Sequence, residues 1–135
     1  MKLWTHILVG LVLITILGFG SKLIFNLNTD ARELELSGEL AMRGQTVSTE
    51  EGCIACHTVD GSAGIGPTWL GMFGRTETLD DGSTVIIDEA YFKESIKQPS
   101  AKLVAGYPNV MLRYFLSEDD LEALMEFARQ LVPVE

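Results

Sequence analysis

Two cysteines and a histidine stand within five positions of one another, at Cys53, Cys56 and His57, in the pattern C-x-x-C-H. In the first turn of a helix, residues three and four positions apart lie on the same side, so the two thiols and the imidazole would converge. This arrangement is typical of haem attachment, in which the thiols add across two vinyl groups as thioethers and the imidazole reaches the iron from one side. We therefore predict one covalently bound haem c.

Three other kinds of site can use cysteine or histidine. A closed zinc site needs four ligands, but outside the apolar residues 3–25 the chain has two cysteines and one histidine, so carboxylates would have to complete the set. A thioredoxin-like C-x-x-C needs a preceding strand, whereas the residues before Cys53 have helical spacing. A structural disulfide would leave the long loops unexplained. Haem attachment is therefore the favoured interpretation.

The elements around the motif must position it. Helical spacing ahead of the motif predicts an amphipathic helix that ends near Glu51 and Gly52. Residues 58–74 have no lasting periodicity and contain several glycines, which indicates a compact loop. The apolar face of the helix would carry Leu36, Leu40, Gly44 and Val47.

Three further elements are predicted downstream. A turn at Asp81 and Gly82 between β-prone segments indicates a small hairpin. Asp88 can cap a short helix that Pro99 ends, and Ser117 can cap a final helix. The apolar stripe of this last helix would consist of Leu121, Leu124, Met125, Ala128 and Leu131.

Short helices joined by long loops form a small core unless something else organises the loops. A large buried cofactor would do so. The apolar side chains that we expect around it are Leu70, Phe73, Phe92, Ile96, Val104 and Phe115.

The N-terminal residues 3–25 are mostly apolar and, at about 1.5 Å per residue in a helix, would extend about 34 Å, enough to cross a bilayer. We predict a transmembrane anchor over residues 1–27, a linker over 28–36 and the haem domain over 37–135. A cleaved signal peptide and a buried core helix are the alternatives, because the uninterrupted apolar run covers only residues 7–20.

The chain is acidic, with a net charge of −9 from 10 basic and 19 acidic residues. Such a surface disfavours nucleic acid and favours a redox partner with a basic docking patch, in a salt-dependent encounter. The alternative is that the excess of carboxylates only keeps the domain soluble.

Over residues 37–132 the chain resembles class I cytochromes c. The resemblance rests on GCIACHTVDG, then GIGPTWLGMFGR, then a helix ending in KQP, a loop with a methionine and a C-terminal helix. It is similar above all to the cytochrome c domain of haem-copper oxidase subunit II and to the membrane-anchored monohaem subunit of alternative complex III. The resemblance implies an all-α fold with long loops around a covalently bound haem.

The resemblance also implies roles for individual residues. Pro67 matches a proline whose carbonyl accepts a hydrogen bond from the proximal histidine, here His57. Its alternative is a proline that only shapes a turn. Arg75 matches an arginine that neutralises a haem propionate, with a solvated surface cation as the alternative. Ile87 stands where many relatives have a tryptophan that bonds to a propionate.

The second iron ligand is predicted to be a methionine, because the remaining histidine, His6, lies in the N-terminal apolar segment. Met111 follows a long loop, at the place from which relatives cross to the distal face, although relatives often have proline where Leu112 stands. We predict that His57 and Met111 bind the iron, with loop packing as the alternative for Met111. Met42 and Met125 are expected to be core or surface fillers, and Met72 is expected to pack on the proximal side.

The resemblance implies a one-electron carrier that is not an enzyme by itself and is a subunit of a larger respiratory or photosynthetic oxidoreductase. Alternative complex III is favoured slightly over an oxidase-associated cytochrome. In the family, haem is attached outside the bacterial cytoplasmic membrane, which implies a cytoplasmic N-terminus and a haem domain on the periplasmic or outer face. The alternative is an open-site haem that acts as a peroxidase or gas sensor, with Arg113 and Tyr114 as distal groups.

Overall fold

The computed structural model describes residues 38–133. The predicted anchor over 1–27 and the linker over 28–36 lie outside this range. Among the described residues, none of the helices combines the length and the apolar character that a membrane span requires.

The described chain is mostly helical outside its loops. Helix α1 covers residues 38–50 of the described range and leads into a 3₁₀ turn at Cys53–Ala55. Strands β1 (Thr76–Thr78) and β2 (Thr84–Ile86) follow, and then helices α2 (Glu89–Lys97) and α3 (Glu118–Gln130). The end predicted for the first helix is therefore correct. The long segments between the elements supply most of the residues that line the cavity described below.

Both later helices begin at the predicted caps. The Asp88 carboxylate accepts a hydrogen bond from the Tyr91 amide at 2.8 Å, and the Ser117 hydroxyl accepts one from the Asp120 amide at 3.1 Å. Each cap satisfies an amide that the first helical turn leaves without a partner. Acidic residues in these first turns also complement the positive end of the helix dipole.

The predicted hairpin is present and antiparallel, with Thr76 opposite Ile86 and Thr78 opposite Thr84. Its turn places Gly82 at a φ of 85°, where a side chain would be strained. The Asp81 carboxylate accepts a hydrogen bond from the Ser83 amide at 2.8 Å. The residue after β1, Leu79, bridges to Val104 and so joins the hairpin to the loop that follows α2.

The core forms where the apolar stripe of α3 packs on the other elements. Four of the five residues predicted for that stripe are buried, and Leu131, just beyond the helix end, is half-buried. They pack with Val47 of α1, with Phe92 and Ile96 of α2 and with Trp69 of the intervening loop. The buried members of the stripe are Leu121, Leu124, Met125 and Ala128.

Helices α1 and α3 are in close contact at Gly44. A Cβ atom at this position would lie 2.0 Å from the Ala123 carbonyl oxygen and 2.7 Å from the Phe127 Cβ. Neither neighbour can yield easily, because one is helix backbone and the other is the first atom of a side chain. The contact therefore requires glycine at this position, and Arg43 pairs with Asp120 beside it at 2.8 Å.

We expect Gly44→Ala to destabilise the domain by about 3 kcal/mol or more, because the helices must separate to admit the methyl group. Chemical denaturation of the purified protein measures this loss. Gly38→Ala is the matched control, since its Cβ meets no atom within 4 Å and alanine is the better helix former. Equal stability of the two variants would contradict the close contact.

Candidate functional site

The C-x-x-C-H motif lies in a tight turn directly after α1. Gly52 ends the helix with a φ of 73°, and the 3₁₀ turn follows at once. The His57 amide donates to the Cys53 carbonyl at 3.0 Å, and the Cys56 amide donates to the same oxygen at 3.1 Å. The backbone thus folds the motif into a single turn, as its spacing predicted.

One cavity of about 290 Å³ receives the side chains singled out in the sequence. Its wall is otherwise mainly apolar, with Trp69, Met72, Phe92 and Ile96 among its members. Ligand pockets of this character combine an apolar lining with a few placed polar groups. All six predicted site residues line it: Cys53, Cys56, His57, Pro67, Arg75 and Met111.

The predicted apolar wall is partly wrong. Phe92, Ile96 and Val104 line the cavity as predicted. Leu70, Phe73 and Phe115 do not, and Phe115 is 84% exposed. Phe115 lies in an irregular segment, residues 111–117, where no helical or strand period fixes which side chains face inward. Its ring instead carries the Arg113 guanidinium at 4.8 Å from the centroid.

The loop after the motif is hydrogen-bonded back onto it. The Gly66 amide donates to the Cys56 carbonyl at 2.9 Å, and the Trp69 amide donates to the Thr58 carbonyl at 2.8 Å. Between them, His57 Nδ1 lies 2.8 Å from the Pro67 carbonyl oxygen. These bonds hold residues 66–69 against residues 56–58.

The contact with Pro67 determines the state of the imidazole. A carbonyl oxygen only accepts, so Nδ1 must carry the proton and Nε2 keeps its lone pair. Burial lowers the pKa of His57, and the hydrogen bond to Pro67 offsets part of this effect. His57 is therefore a neutral imidazole, and its Nε2 is available as a metal ligand.

The two thiols do not resemble a redox-active pair or a zinc site. Both are half-buried and unlinked, and burial raises the pKa of the Cys53 thiol above its usual value. Reactive thiols have a lowered pKa instead. Within residues 38–133, no three His, Cys, Asp or Glu side chains converge to hold a metal ion.

Arg75 lines the cavity and is hydrogen-bonded to the loop of residues 68–70 and to Glu77. Its Nε donates to the Glu77 carboxylate at 2.6 Å, and its terminal nitrogens donate to the Thr68 carbonyl at 3.2 Å and the Leu70 carbonyl at 3.4 Å. A guanidinium has five N–H groups, so two remain for another acceptor. Arg75 thus supports residues 68–70 and is not simply a solvated surface cation.

The two central methionines differ in their surroundings. Met72 is only 6% exposed and belongs to the buried core, whereas Met111 is half-buried and begins the irregular segment 111–117. Both line the cavity. Met72 is therefore held by core packing, while the Met111 thioether projects from a segment without regular structure.

Sequence reasoning missed two residues that contact His57. The Trp69 indole stacks on the imidazole, with 5.4 Å between centroids and 23° between planes. A Cβ at Gly66 would lie 2.6 Å from His57 Cε1, so the backbone there passes directly beside the ring. Both lie within two positions of Pro67 in GIGPTWLGMFGR, and their proximity to that proline was the available signal.

Comparison with known proteins agrees with this geometry. The sequence model for the family described as Cytochrome c matches residues 41–131. The chain belongs to the cytochrome c family. No curated protein sequence matched the chain in the comparison.

Cytochromes c bind haem c covalently through C-x-x-C-H, and typically they transfer electrons and are not enzymes. The residues of this cytochrome fit that cofactor, because the cavity combines two free thiols, an imidazole with an available Nε2 and a largely apolar lining. Addition of each S–H across a vinyl C=C bond forms the thioether without an oxidant.

We expect Gly66→Ala to displace the His57 ring and weaken its hydrogen bond to Pro67, since the new methyl would overlap Cε1. The expected loss is about 1–3 kcal/mol of stability, with a lower haem content. Denaturant unfolding and the haem-to-protein absorbance ratio measure both effects. Ser62→Ala on the same loop serves as the control, because within residues 38–133 its hydroxyl donates to Asp60 and to no other side chain. If Gly66→Ala had the stability and haem content of the wild type, the His57 ring would not be in close contact with the backbone at Gly66.

Proposed function

We propose that this cytochrome is a one-electron carrier whose haem iron is held by His57 and Met111. The observation that carries the proposal is one largely apolar cavity that receives the attachment thiols, the available Nε2 of His57 and the Met111 side chain. When bound, the haem supplies an Fe(III)/Fe(II) couple, and thioether ligation with an apolar environment raises its potential.

The protein's own residues would keep this site closed. With His57 and Met111 both holding the iron, no ligand position would remain for a substrate, and the buried apolar side chains of Trp69, Phe92 and Ile96 would disfavour water at the cavity wall. The loop hydrogen bonds between residues 56–58 and 66–69 hold His57 in place. An electron carrier benefits from a fixed ligand, because electron transfer is faster when the ligands move little between the two oxidation states.

The groups available for an open, catalytic haem are few. Arg113 lies over the Phe115 ring and is not part of the cavity wall. Tyr114 does line the cavity, and desolvation raises the pKa of its phenol, so this side chain is protonated and can donate a hydrogen bond but cannot act as a base. These observations favour the carrier over a peroxidase or gas sensor.

Met111→Ala should remove the weak near-infrared sulfur-to-iron band of the ferric protein and allow the ferrous protein to bind carbon monoxide at neutral pH. Met72→Leu is the matched control, because it removes the other thioether of the cavity with little change in volume and should keep the band. Optical spectra of both variants test the assignment. Ready binding of carbon monoxide by the wild type would overturn the carrier proposal.

We further propose that the carrier is a tethered relay in a respiratory or photosynthetic membrane complex, with alternative complex III ahead of an oxidase-associated cytochrome. The apolar residues 3–25 support the tether, because as a helix they are long enough to cross a bilayer. A tethered carrier has a high effective concentration near its partners. The N-terminus would be cytoplasmic and the haem domain periplasmic or on the outer face. The net charge of −9 supports a partner with a basic patch.

The tether predicts that the haem-loaded protein stays in membranes after an alkaline wash and that its intact mass includes residues 1–27. Gentle solubilisation should bring other redox subunits with it. A chain of residues 28–135 behind a cleavable export signal should instead be soluble and loaded with haem. A natural protein that lacks residues 1–27 by mass would identify a signal peptide, and one that runs alone as a monomer would contradict membership in a complex.

A further inference from the structure

We propose that Trp69 is a positioning residue for the axial histidine, and that its indole fixes the plane of the His57 imidazole. The inference rests on the proposed function insofar as it takes His57 as the iron ligand. It adds a residue whose effect reaches the iron through the histidine.

The hydrogen bond to Pro67 does not fix the imidazole plane by itself. It fixes the direction of Nδ1 at 2.8 Å from the carbonyl oxygen. Acceptance at a carbonyl oxygen has a broad angular distribution, so the ring can still rotate about this line. A second contact is needed to select one orientation.

Trp69 provides that contact on the face of the ring. The centroid distance of 5.4 Å and the interplanar angle of 23° are those of an offset stack. Aromatic stacks of this kind are favourable beyond the area they bury. Rotation of the imidazole away from the indole would lose this interaction, so the stack selects the plane.

The indole can act in this way because it is itself immobile. Trp69 is 6% exposed, and its amide is bonded to the Thr58 carbonyl at 2.8 Å. Its ring meets Phe92 of α2 edge-on at 6.0 Å and Phe127 of α3 at 6.4 Å. Contacts with two helices therefore immobilise the indole on which the His57 imidazole stacks.

The backbone at Gly66 limits the ring from its edge. A Cβ there would be 2.6 Å from Cε1, 2.9 Å from Nδ1 and 3.0 Å from Nε2 of His57. The imidazole is thus bounded by the Pro67 carbonyl, the Gly66 backbone and the Trp69 indole. Of these three, only the indole is a side chain that can be replaced without altering the backbone.

The plane of an axial imidazole sets how its π orbitals overlap with the iron d orbitals. In a low-spin ferric haem this orientation determines the g values and the spread of the haem methyl proton shifts. Loss of the indole should change both quantities, and a role in core packing alone should change neither.

The test compares three variants of the haem-loaded, full-length ferric protein by electron paramagnetic resonance and proton NMR. Trp69→Leu should shift and broaden the largest g value and alter the methyl spread, because the imidazole then samples several planes. Trp69→Phe keeps an aromatic face and should restore most of the wild-type pattern. Ile96→Val is the control, since it trims another buried wall residue that makes no aromatic contact with His57.

The proposal is overturned if Trp69→Leu is less stable but has the g values and methyl shifts of the wild type. If Trp69→Leu does not load haem, the wild-type protein is measured by proton NMR instead. Cross-relaxation between the indole protons and the His57 ring protons is expected, and its absence would overturn the proposal. The carrier proposal fails separately, through carbon monoxide binding. A haem with an open distal side would still have His57 as its ligand, so that result leaves the role of Trp69 intact.

Discussion

The hydrogen bond from His57 Nδ1 to the Pro67 carbonyl joins the attachment motif to the loop that follows it. It fixes the tautomer that leaves Nε2 free, and it brings Trp69 over the imidazole. Trp69 in turn meets α2 and α3 through Phe92 and Phe127. Helix packing and ligand geometry are therefore parts of one connected structure, and a change in either reaches the other.

The elements that local chemistry determines could be predicted from the sequence. Asp88 and Ser117 cap helices because a short acceptor side chain satisfies the first free amides whatever lies beyond them. The C-x-x-C-H turn and the glycine turn of the hairpin are equally local. The place of Pro67 beside His57 came from family resemblance, since the two residues lie ten positions apart along an aperiodic loop.

Features that depend on tertiary contacts could not be predicted in this way. Phe115 was expected in the cavity but is exposed, because an irregular segment has no period from which its inward side can be read. Arg75 uses three of its N–H groups on Glu77 and on the carbonyls of Thr68 and Leu70, which no spacing rule anticipates. The stack of Trp69 on His57 likewise exists only once the loop has folded back.

The two sides of the site differ in how they are built, and this matters for engineering. The histidine side is bonded through the backbone at Cys56, Thr58, Gly66 and Trp69, so substitutions there disturb many contacts together. Residues 111–117 have no regular structure, and among the described residues the one backbone hydrogen bond that joins them to α2 runs from the Tyr114 amide to the Ile96 carbonyl. Under the proposed ligation by Met111, the distal ligand could therefore be exchanged in this segment, and the potential changed, with little disturbance of the histidine side.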